Sequence, residues 1–186
     1  MIILATHSPR RIELMKQITS DFIYMDSHID ESTSLHLSPL EANQEIAYRK
    51  GKKIHDEYPN YIVIGADTIV VLDNQIIGKP IDKEDAYNIL FKLNGREHEV
   101  ITSYVIMYKD KVIQNHVHSF VLFNKVDKND IIKYVDTFLP LDKAGAYGVQ
   151  DNESSHLIKT VKGSINNVVG FPIEEIKIDL QKVINI

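Results

Sequence analysis

The sequence lacks cysteine entirely, although it is 186 residues long. Disulfide bonds and thiol chemistry are therefore excluded, and the usual ligands of structural zinc are missing. Long apolar runs are missing as well. No stretch approaches the ~18 apolar residues of a membrane-spanning helix, and the apolar segment Ile2–Ala5 is too short for a signal peptide. These absences favour a cytoplasmic protein that contacts no membrane.

An excess of positive charge is also absent, since the formal net charge is -5 at pH 7. A chain of this sign has no general attraction to nucleic acid or anionic lipid, so any phosphate binding must be local. The sequence contains no internal repeat and no low-complexity tract. Because 44% of its 186 residues are hydrophobic, the length favours one domain over residues 1–186.

A Ser-Pro-Arg-Arg motif follows the first apolar segment and is the most distinctive stretch of the chain. The segment Ile2–Ala5 is typical of a strand. Ser8 suits a helix N-cap and Pro9 suits the first helical position, where its missing N–H has no cost. The pattern predicts a strand, a tight turn and a helix that ends near Thr19.

Arg10 and Arg11 then fall in the first turn of this helix. The N-terminal end of a helix carries partial positive charge and favours acidic side chains, so two arginines there call for an anion. Arginine binds phosphate oxygens in a bidentate manner, and the unpaired backbone N–H groups add further donors. The pair therefore indicates a phosphate site. The alternative is a surface helix with two solvated arginines.

Asp67 is the most informative acidic residue, because it interrupts an apolar stretch. Residues 61–66 are rich in β-branched side chains and residues 69–72 resume the apolar run, so an unpaired charge between them would be costly. The alternative is an ordinary turn or capping aspartate between two strands. The Asp-Asn pair at 73–74 predicts a hairpin turn. If its strands pair, Lys79 returns towards Asp67, and a metal-bound phosphate could bind between them.

Three other stretches carry groups that suit a binding site. Asp30 and Glu31 lie in a polar loop, where ordinary solvation is the alternative interpretation. A capping box predicts a helix from Ser38, and this helix carries Lys50, which could reach a phosphate. Residues 141–150 are rich in glycine and small side chains, which suits either a ligand site or only a tight loop.

Four segments, in order along nearly the whole chain, resemble the motifs of the Maf family of nucleoside triphosphate pyrophosphatases. They are Ala5–Leu14, Gly65–Val70 with Ile77–Pro80, Lys143–Gln150 and Asn167–Pro172. The resemblance implies an elongated mixed α/β fold of the inosine-triphosphate-pyrophosphatase type, with two lobes around a cleft. It also implies a homodimer that hydrolyses nucleoside triphosphates to the monophosphate and pyrophosphate with a divalent cation, Mg²⁺ or Mn²⁺.

The resemblance assigns roles to individual residues. The catalytic group is Glu31, Asp67 and Lys79. The two carboxylates hold the divalent cation, and one of them, which the sequence does not identify, acts on the attacking water. The residues assigned to the phosphates are Ser8, Arg10, Arg11 and Lys50. The positions that read the base are Arg11, Thr68 and Gln150, and the segment Lys143–Gln150 resembles the dTTP/UTP branch more than the 7-methyl-GTP branch.

The chain departs from the family pattern at Thr6, His7, Gly51 and Phe171. Gly51 is the departure closest to the proposed chemistry, because it stands where alanine is usual and follows Lys50. Glycine inside a helix costs about 1 kcal/mol relative to alanine. The helix that carries Lys50 is therefore predicted to be weaker at this point.

Other functions remain open on the sequence alone. The family has a historical link to inhibition of septum formation, so the chain could be a nucleotide-binding regulator of cell division without turnover. It could also be a 7-methyl-GTP pyrophosphatase. A glycoside hydrolase built on Asp30, Glu31 and Asp67 is a further alternative, but it leaves the arginine pair unexplained. Cleansing of the nucleotide pool and control of division would use the same pocket.

Overall fold

The computed structural model describes residues 1–34, 36–151 and 155–184. The strands are β1 (Ile2–Ala5), β2 (Phe22–Met25), β3 (Ile62–Leu72), β4 (Gln75–Ile77), β5 (Glu97–Tyr108), β6 (Lys111–Phe123) and β7 (Ile158–Lys162). The helices are α1 (Pro9–Met15), α2 (Pro39–Glu57), α3 (Lys83–Leu93), α4 (Lys128–Phe138), α5 (Ile165–Val169) and α6 (Ile173–Ile184). Two short 3₁₀ turns cover Ala144–Ala146 and Val149–Asp151.

The strands form one seven-stranded sheet in the order β2-β1-β3-β5-β6-β7, with β4 paired to β3. β1 is parallel to both β2 and β3, whereas β4 is antiparallel to β3 and β7 is antiparallel to β6. A sheet with both kinds of pairing and helices between its strands is a mixed α/β structure. The predicted fold class is thereby confirmed.

The strand β3 is continuous from Ile62 to Leu72 and contains Asp67 near its middle. The alternative interpretation of Asp67 as a turn or capping residue is therefore wrong. The hairpin that follows is confirmed, because Asp73 and Asn74 both adopt positive φ and β4 pairs back with Val70 opposite Ile77.

Glycine allows α2 to lie directly on β3. A Cβ at Gly65 would come within 2.5 Å of the backbone N of Gly51 and 2.7 Å of the carbonyl O of Ala47. A Cβ at Gly51 would lie 2.4 Å from Cγ1 of Val105. Gly65 is therefore needed for this close approach, and Gly51, the glycine that departs from the family pattern, leaves room for Val105 of β5. As a result, the residues beside Gly51 on the helix face the middle of β3.

The helix α1 is shorter than predicted. It ends at Met15, with Lys16 as its C-cap, rather than near Thr19. Beyond that point the backbone tightens, since Gln17 N–H donates to the carbonyl of Leu14. Ile18 N–H likewise donates to the carbonyl of Met15, so the helix closes in a tighter i to i−3 turn.

The chain divides into two compact units, each made of several segments. The first unit is Met1–Thr68, Thr102–Val117 and Gly170–Ile186, and the second is Ile69–Ile101 and His118–Val169. A buried cluster in the first unit includes Ile3, Ala5, Ile54 and Val63. The second unit has a larger apolar cluster, in which α3 and α4 contribute Leu90, Leu93, Ile131 and Val135. One domain over residues 1–186 stays a prediction.

In the ranges that the structure describes, no helix combines the length and the apolar character required to span a membrane.

Candidate active site

An ion-pair cluster in the first unit centres on Lys50 of α2. Its Nζ lies 2.8 Å from Oδ1 of Asp67 on β3 and 2.9 Å from Oε1 of Glu31 in the polar loop. The side chains of Lys50 and Asp67 are 13% and 11% exposed, whereas that of Glu31 is 53% exposed. The structure therefore brings together three of the residues that the sequence assigned to the site.

The Asp67 carboxylate has a donor on each oxygen. Lys50 donates to Oδ1, and the side-chain amide of Asn43, also on α2, donates to Oδ2 at 2.9 Å. A buried charge is tolerated only when it is paired and hydrogen-bonded, and both conditions are met here. Asn43 was not among the site residues predicted from the sequence. The sequence pattern that could have found it is a polar residue on the buried face of α2, which also carries Ala47, Gly51 and Ile54.

Arg11 is bonded to residues on both sides of Asp67. Its Nη1 donates to the carbonyl of Ala66 at 2.7 Å and its Nη2 to Oγ1 of Thr68 at 3.0 Å, while Nε donates to the carbonyl of Gly170 at 2.9 Å. Burial lowers the pKa of the Arg11 guanidinium, and the nearby Asp67 carboxylate partly opposes this effect. Arg11 is therefore fixed in orientation beside Thr68.

Gly170 supports this arrangement through its backbone conformation. Its φ of +114° lies in a region that L side chains rarely adopt. A Cβ there would also lie 3.2 Å from Oγ1 of Thr68. The glycine in the last family-like segment therefore allows its carbonyl to face Arg11.

Ser8 and Arg10 lie at the start of α1, as predicted. Ser8 occupies the N-cap position and Pro9 the first helical position, but the Ser8 side chain makes no capping hydrogen bond. Instead, the Ser8 N–H donates to Oγ1 of Thr6 at 3.1 Å, so the threonine that departs from the family pattern still supplies a hydroxyl. The first turn of α1 contains no acidic side chain, and Arg10 is partly exposed.

The two acids of the polar loop have different surroundings. Asp30 accepts hydrogen bonds from the N–H and the hydroxyl of Ser32, and these bonds lower the pKa of the Asp30 carboxyl. Glu31 instead contacts Lys50, and Arg49 of α2 donates to the carbonyl of Ser32 at 2.9 Å. Glu31 therefore belongs to the cluster, while Asp30 stabilises the turn of its own loop.

Comparison with known proteins shows the family of the chain. A family model described as Maf-like protein matches residues 1–183. The chain belongs to the Maf-like family. The resemblance drawn from the four sequence motifs is therefore confirmed.

Curated relatives of this Maf-like protein carry a common name. A protein from Symbiobacterium thermophilum named dTTP/UTP pyrophosphatase is 40% identical over 172 residues, which cover 92% of this chain and 88% of the relative. A protein of the same name from Ruminiclostridium cellulolyticum is 38% identical over 185 residues, covering 98% of this chain and 95% of the relative.

Solved structures resemble the Maf-like chain in fold. A HAM1 protein from Coxiella burnetii matches with a TM-score of 0.53 at 14% identity, over 97% of this chain and 98% of that one. The Ham1 protein of Staphylococcus aureus matches with a TM-score of 0.51 at 17% identity, over 98% of both chains. These likenesses agree with the predicted type of mixed α/β fold.

Lys79 and Gln150 of the Maf-like chain lie in the second unit, and both are exposed. Lys79 follows β4, and Gln150 lies in the second 3₁₀ turn. The N–H of Gly145 donates to the carbonyl of Gly78 at 3.0 Å. This bond joins the segment before Lys79 to the glycine-containing loop that leads to Gln150.

The donor set of the Maf-like site suits a hard divalent cation. Between the carboxylates of Glu31 and Asp67 there is already a positive group, the Lys50 ammonium. The described ranges contain no group of three His, Cys, Asp or Glu side chains placed to hold a metal ion. Two carboxylates are nonetheless typical for Mg²⁺, which completes its shell with water and substrate phosphates.

Proposed function

We propose that this chain hydrolyses dTTP and UTP to the nucleoside monophosphate and pyrophosphate. The observation that carries the proposal is the Asp67 carboxylate, buried in β3 with Lys50 on one oxygen and Arg11 bonded to both neighbouring residues. The relatives named dTTP/UTP pyrophosphatase support the choice of substrates. The chain is a hydrolase of nucleoside triphosphates.

In this proposal, Glu31 and Asp67 would hold Mg²⁺ or Mn²⁺. Carboxylate oxygens are the ligands that these hard cations prefer. When bound, the divalent cation supplies positive charge that offsets the negative charge of the phosphates. Lys50, which already contacts both carboxylates, keeps the two acids from repelling each other while the site holds no substrate.

The basic residues and Ser8 bind the triphosphate. Arg10 contacts phosphate oxygens, together with Lys79 and Lys50, and these cations stabilise the charge that moves to the departing pyrophosphate. Ser8 supplies a hydroxyl that is not used to cap α1. One of the two carboxylates, Asp67 or Glu31, orients or deprotonates the water that attacks the phosphorus atom.

The base is read by Arg11, Thr68 and Gln150. The guanidinium of Arg11 and the hydroxyl of Thr68 are hydrogen-bonded to each other and are therefore presented together. The Thr68 hydroxyl also lies 3.0 Å from that of Thr102, which fixes it further. Fixed donors and acceptors of this kind discriminate between bases because a wrong base leaves them unpaired.

Product analysis tests this function directly. The purified chain is incubated with Mg²⁺ and, separately, dTTP, UTP, 7-methyl-GTP and the other common triphosphates, and the products are separated by chromatography. We expect monophosphate and pyrophosphate from dTTP and UTP. Orthophosphate with a diphosphate product would contradict the proposal. Nucleotide binding by calorimetry without turnover would favour a regulator instead.

Two further parts of the proposal concern assembly and cellular role. We expect a homodimer, which sedimentation equilibrium would test. We also expect a cytoplasmic enzyme, because the nucleotide pool is there. A link to septum formation stays a prediction, as does the choice between cleansing of the pool and control of division.

A further inference from the structure

Asn43 is a fully buried polar residue that contacts the proposed catalytic carboxylate. It is 0% exposed, and its Nδ2 donates to Oδ2 of Asp67 at 2.9 Å. Its own oxygen, Oδ1, is buried and has no hydrogen-bond partner in the part of the chain that the structure describes. Asn43 therefore makes one buried hydrogen bond and leaves one buried acceptor unpaired.

The orientation of the Asn43 amide follows from the charge of its partner. Reversing the amide would place Oδ1 against a carboxylate oxygen and would remove the donor from Asp67. The amide must therefore point its NH₂ group at Asp67, and the unpaired acceptor is the result. A buried polar atom without a partner destabilises a folded protein.

Folding alone does not explain asparagine at this position. The other buried residues of α2 are all apolar or glycine, namely Ala42, Ile46, Ala47, Gly51 and Ile54. An apolar side chain of the same shape would have no unpaired acceptor of its own, but it would leave Oδ2 of Asp67 without its donor. The interaction that distinguishes asparagine from such a side chain is its hydrogen bond to Asp67.

We infer that Asn43 is a positioning residue that fixes the plane of the Asp67 carboxylate for reaction. Lys50 holds Oδ1 and Asn43 holds Oδ2, and the two donors lie two turns apart on one helix. When Lys50 shifts towards the phosphates, Asn43 still holds Oδ2 and keeps the carboxylate from rotating about its χ2 bond. This inference rests on the proposed function, because it assigns Asp67 to the chemistry.

The variant Asn43→Leu tests the inference, since leucine has nearly the same shape but no donor. We expect kcat for dTTP to fall about 10- to 100-fold, as for other small misplacements of reacting groups, while KM changes less than about twofold. The melting temperature should also fall, because Oδ2 of the buried Asp67 carboxylate loses its donor. A fall of kcat per folded molecule at nearly unchanged KM separates positioning from a structural role, because loss of folded protein lowers the amount of active enzyme and not this ratio.

Gln44→Leu is the matched control, because it removes an amide from the next position of α2. Gln44 bonds His116 rather than Asp67, so kcat should stay within about twofold of the parent protein. Unchanged kcat in Asn43→Leu would overturn the inference. A KM for dTTP that rises as much as kcat falls would also overturn it. If Asn43→Leu does not fold, Asn43→Ser is measured in its place against the same criteria.

Crystal structures of the parent protein and Asn43→Leu separate this inference from the proposed function. We expect the Asp67 carboxylate to rotate in the variant, and an unchanged carboxylate would overturn the inference whatever the activity. If the parent protein hydrolyses no triphosphate, the proposed function fails, and the orientation of Asp67 in the two structures still decides whether Asn43 positions it.

Discussion

The two compact units differ in the charge of two buried polar sites, Asp67 in the first unit and His98 with Tyr147 in the second. In the first unit, the buried Asp67 carries a charge that Lys50 and Asn43 satisfy. In the second unit, the buried side chains of His98 and Tyr147 share a hydrogen bond at 2.8 Å. Burial lowers the pKa of His98 to about 4 and raises the pKa of Tyr147, so both are neutral at pH 7.

The difference separates groups that suit chemistry from groups that hold a loop in place. Burying a charge costs free energy, even when the charge is paired. The paired charges around Lys50 therefore suit a site that binds a charged ligand. Buried neutral groups that are hydrogen-bonded cost less than a buried charge and suit a structural task. In the second unit, Tyr134 accepts from the Gly148 N–H at 3.0 Å and donates to Asp151 at 2.9 Å, which fixes the loop that contains Gln150.

Removal of the buried charge should have the largest effect. We expect Asp67→Asn to lower kcat by about 10³-fold. The neutral amide binds a divalent cation more weakly than a carboxylate does, and it cannot accept a proton from the attacking water. Steady-state kinetics with dTTP measure the change. Asp56→Asn is the control, since Asp56 is an exposed acid on α2 that pairs with Lys52. Full turnover by Asp67→Asn would remove this residue from the mechanism.

The contact between α2 and β3 can be broken by a single methyl group. In Gly65→Ala the new Cβ would overlap backbone atoms of Ala47 and Gly51, which cannot move aside as a side chain would. We expect the free energy of unfolding to fall by about 3 kcal/mol or more. Urea denaturation measures it. Gly78→Ala, where a Cβ meets nothing within 4 Å, should be close to neutral.

The neutral state of His98 makes the stability of the chain depend on pH. Its folded pKa of about 4 lies below the ordinary histidine pKa of 6.5, so the unfolded chain binds the proton more readily. The contribution of neutral His98 to the free energy of unfolding is therefore fully present above about pH 6.5. This contribution, roughly 3 kcal/mol, is lost as the pH falls towards 4.

Urea denaturation at pH 7, 5 and 4 checks this dependence against a His98→Gln variant, which cannot titrate. The parent protein should lose more stability on acidification than the variant does. Equal losses in the two proteins would show that His98 does not carry the pH dependence.

The smallest expected effect concerns Gln150. We expect Gln150→Ala to raise KM for dTTP and UTP about 5- to 10-fold, as for loss of one hydrogen bond to a base. Its affinity for free pyrophosphate should stay the same, because pyrophosphate has no base. Enzyme kinetics and calorimetry give the two quantities, and equal changes in both would argue against a base-reading role.

Local signals in the sequence predicted much of the fold and part of the site. The Ser-Pro pair predicted where α1 begins, and the capping box predicted the start of α2, because caps depend on neighbouring residues. Asp67 was found because a charge in an apolar run needs a partner. The end of α1 was wrong, since backbone hydrogen bonds there changed type without a glycine or proline to mark the change.

Contacts between distant segments were beyond the reach of the sequence patterns. Gly51 was read only as a weak point in its helix, because its approach to Gly65 and Val105 requires the folded arrangement. Lys50 was expected near phosphates, but its two carboxylate partners come from a loop and a strand. Asn43 was missed for the same reason, since one asparagine on a helix does not show what it will face.

The glycine contact between α2 and β3 also bears on how this protein can change over evolution. Where main chain rests on main chain, as at Gly51 and Gly65, the separation of helix and strand does not depend on the volume of any side chain. Substitutions elsewhere in the apolar core can then accumulate while Lys50 and Asp67 keep their 2.8 Å contact. Sequence drift is thereby uncoupled from the geometry of the charged cluster, and Gly65, whose Cβ would meet main chain, is the position of this contact least free to vary.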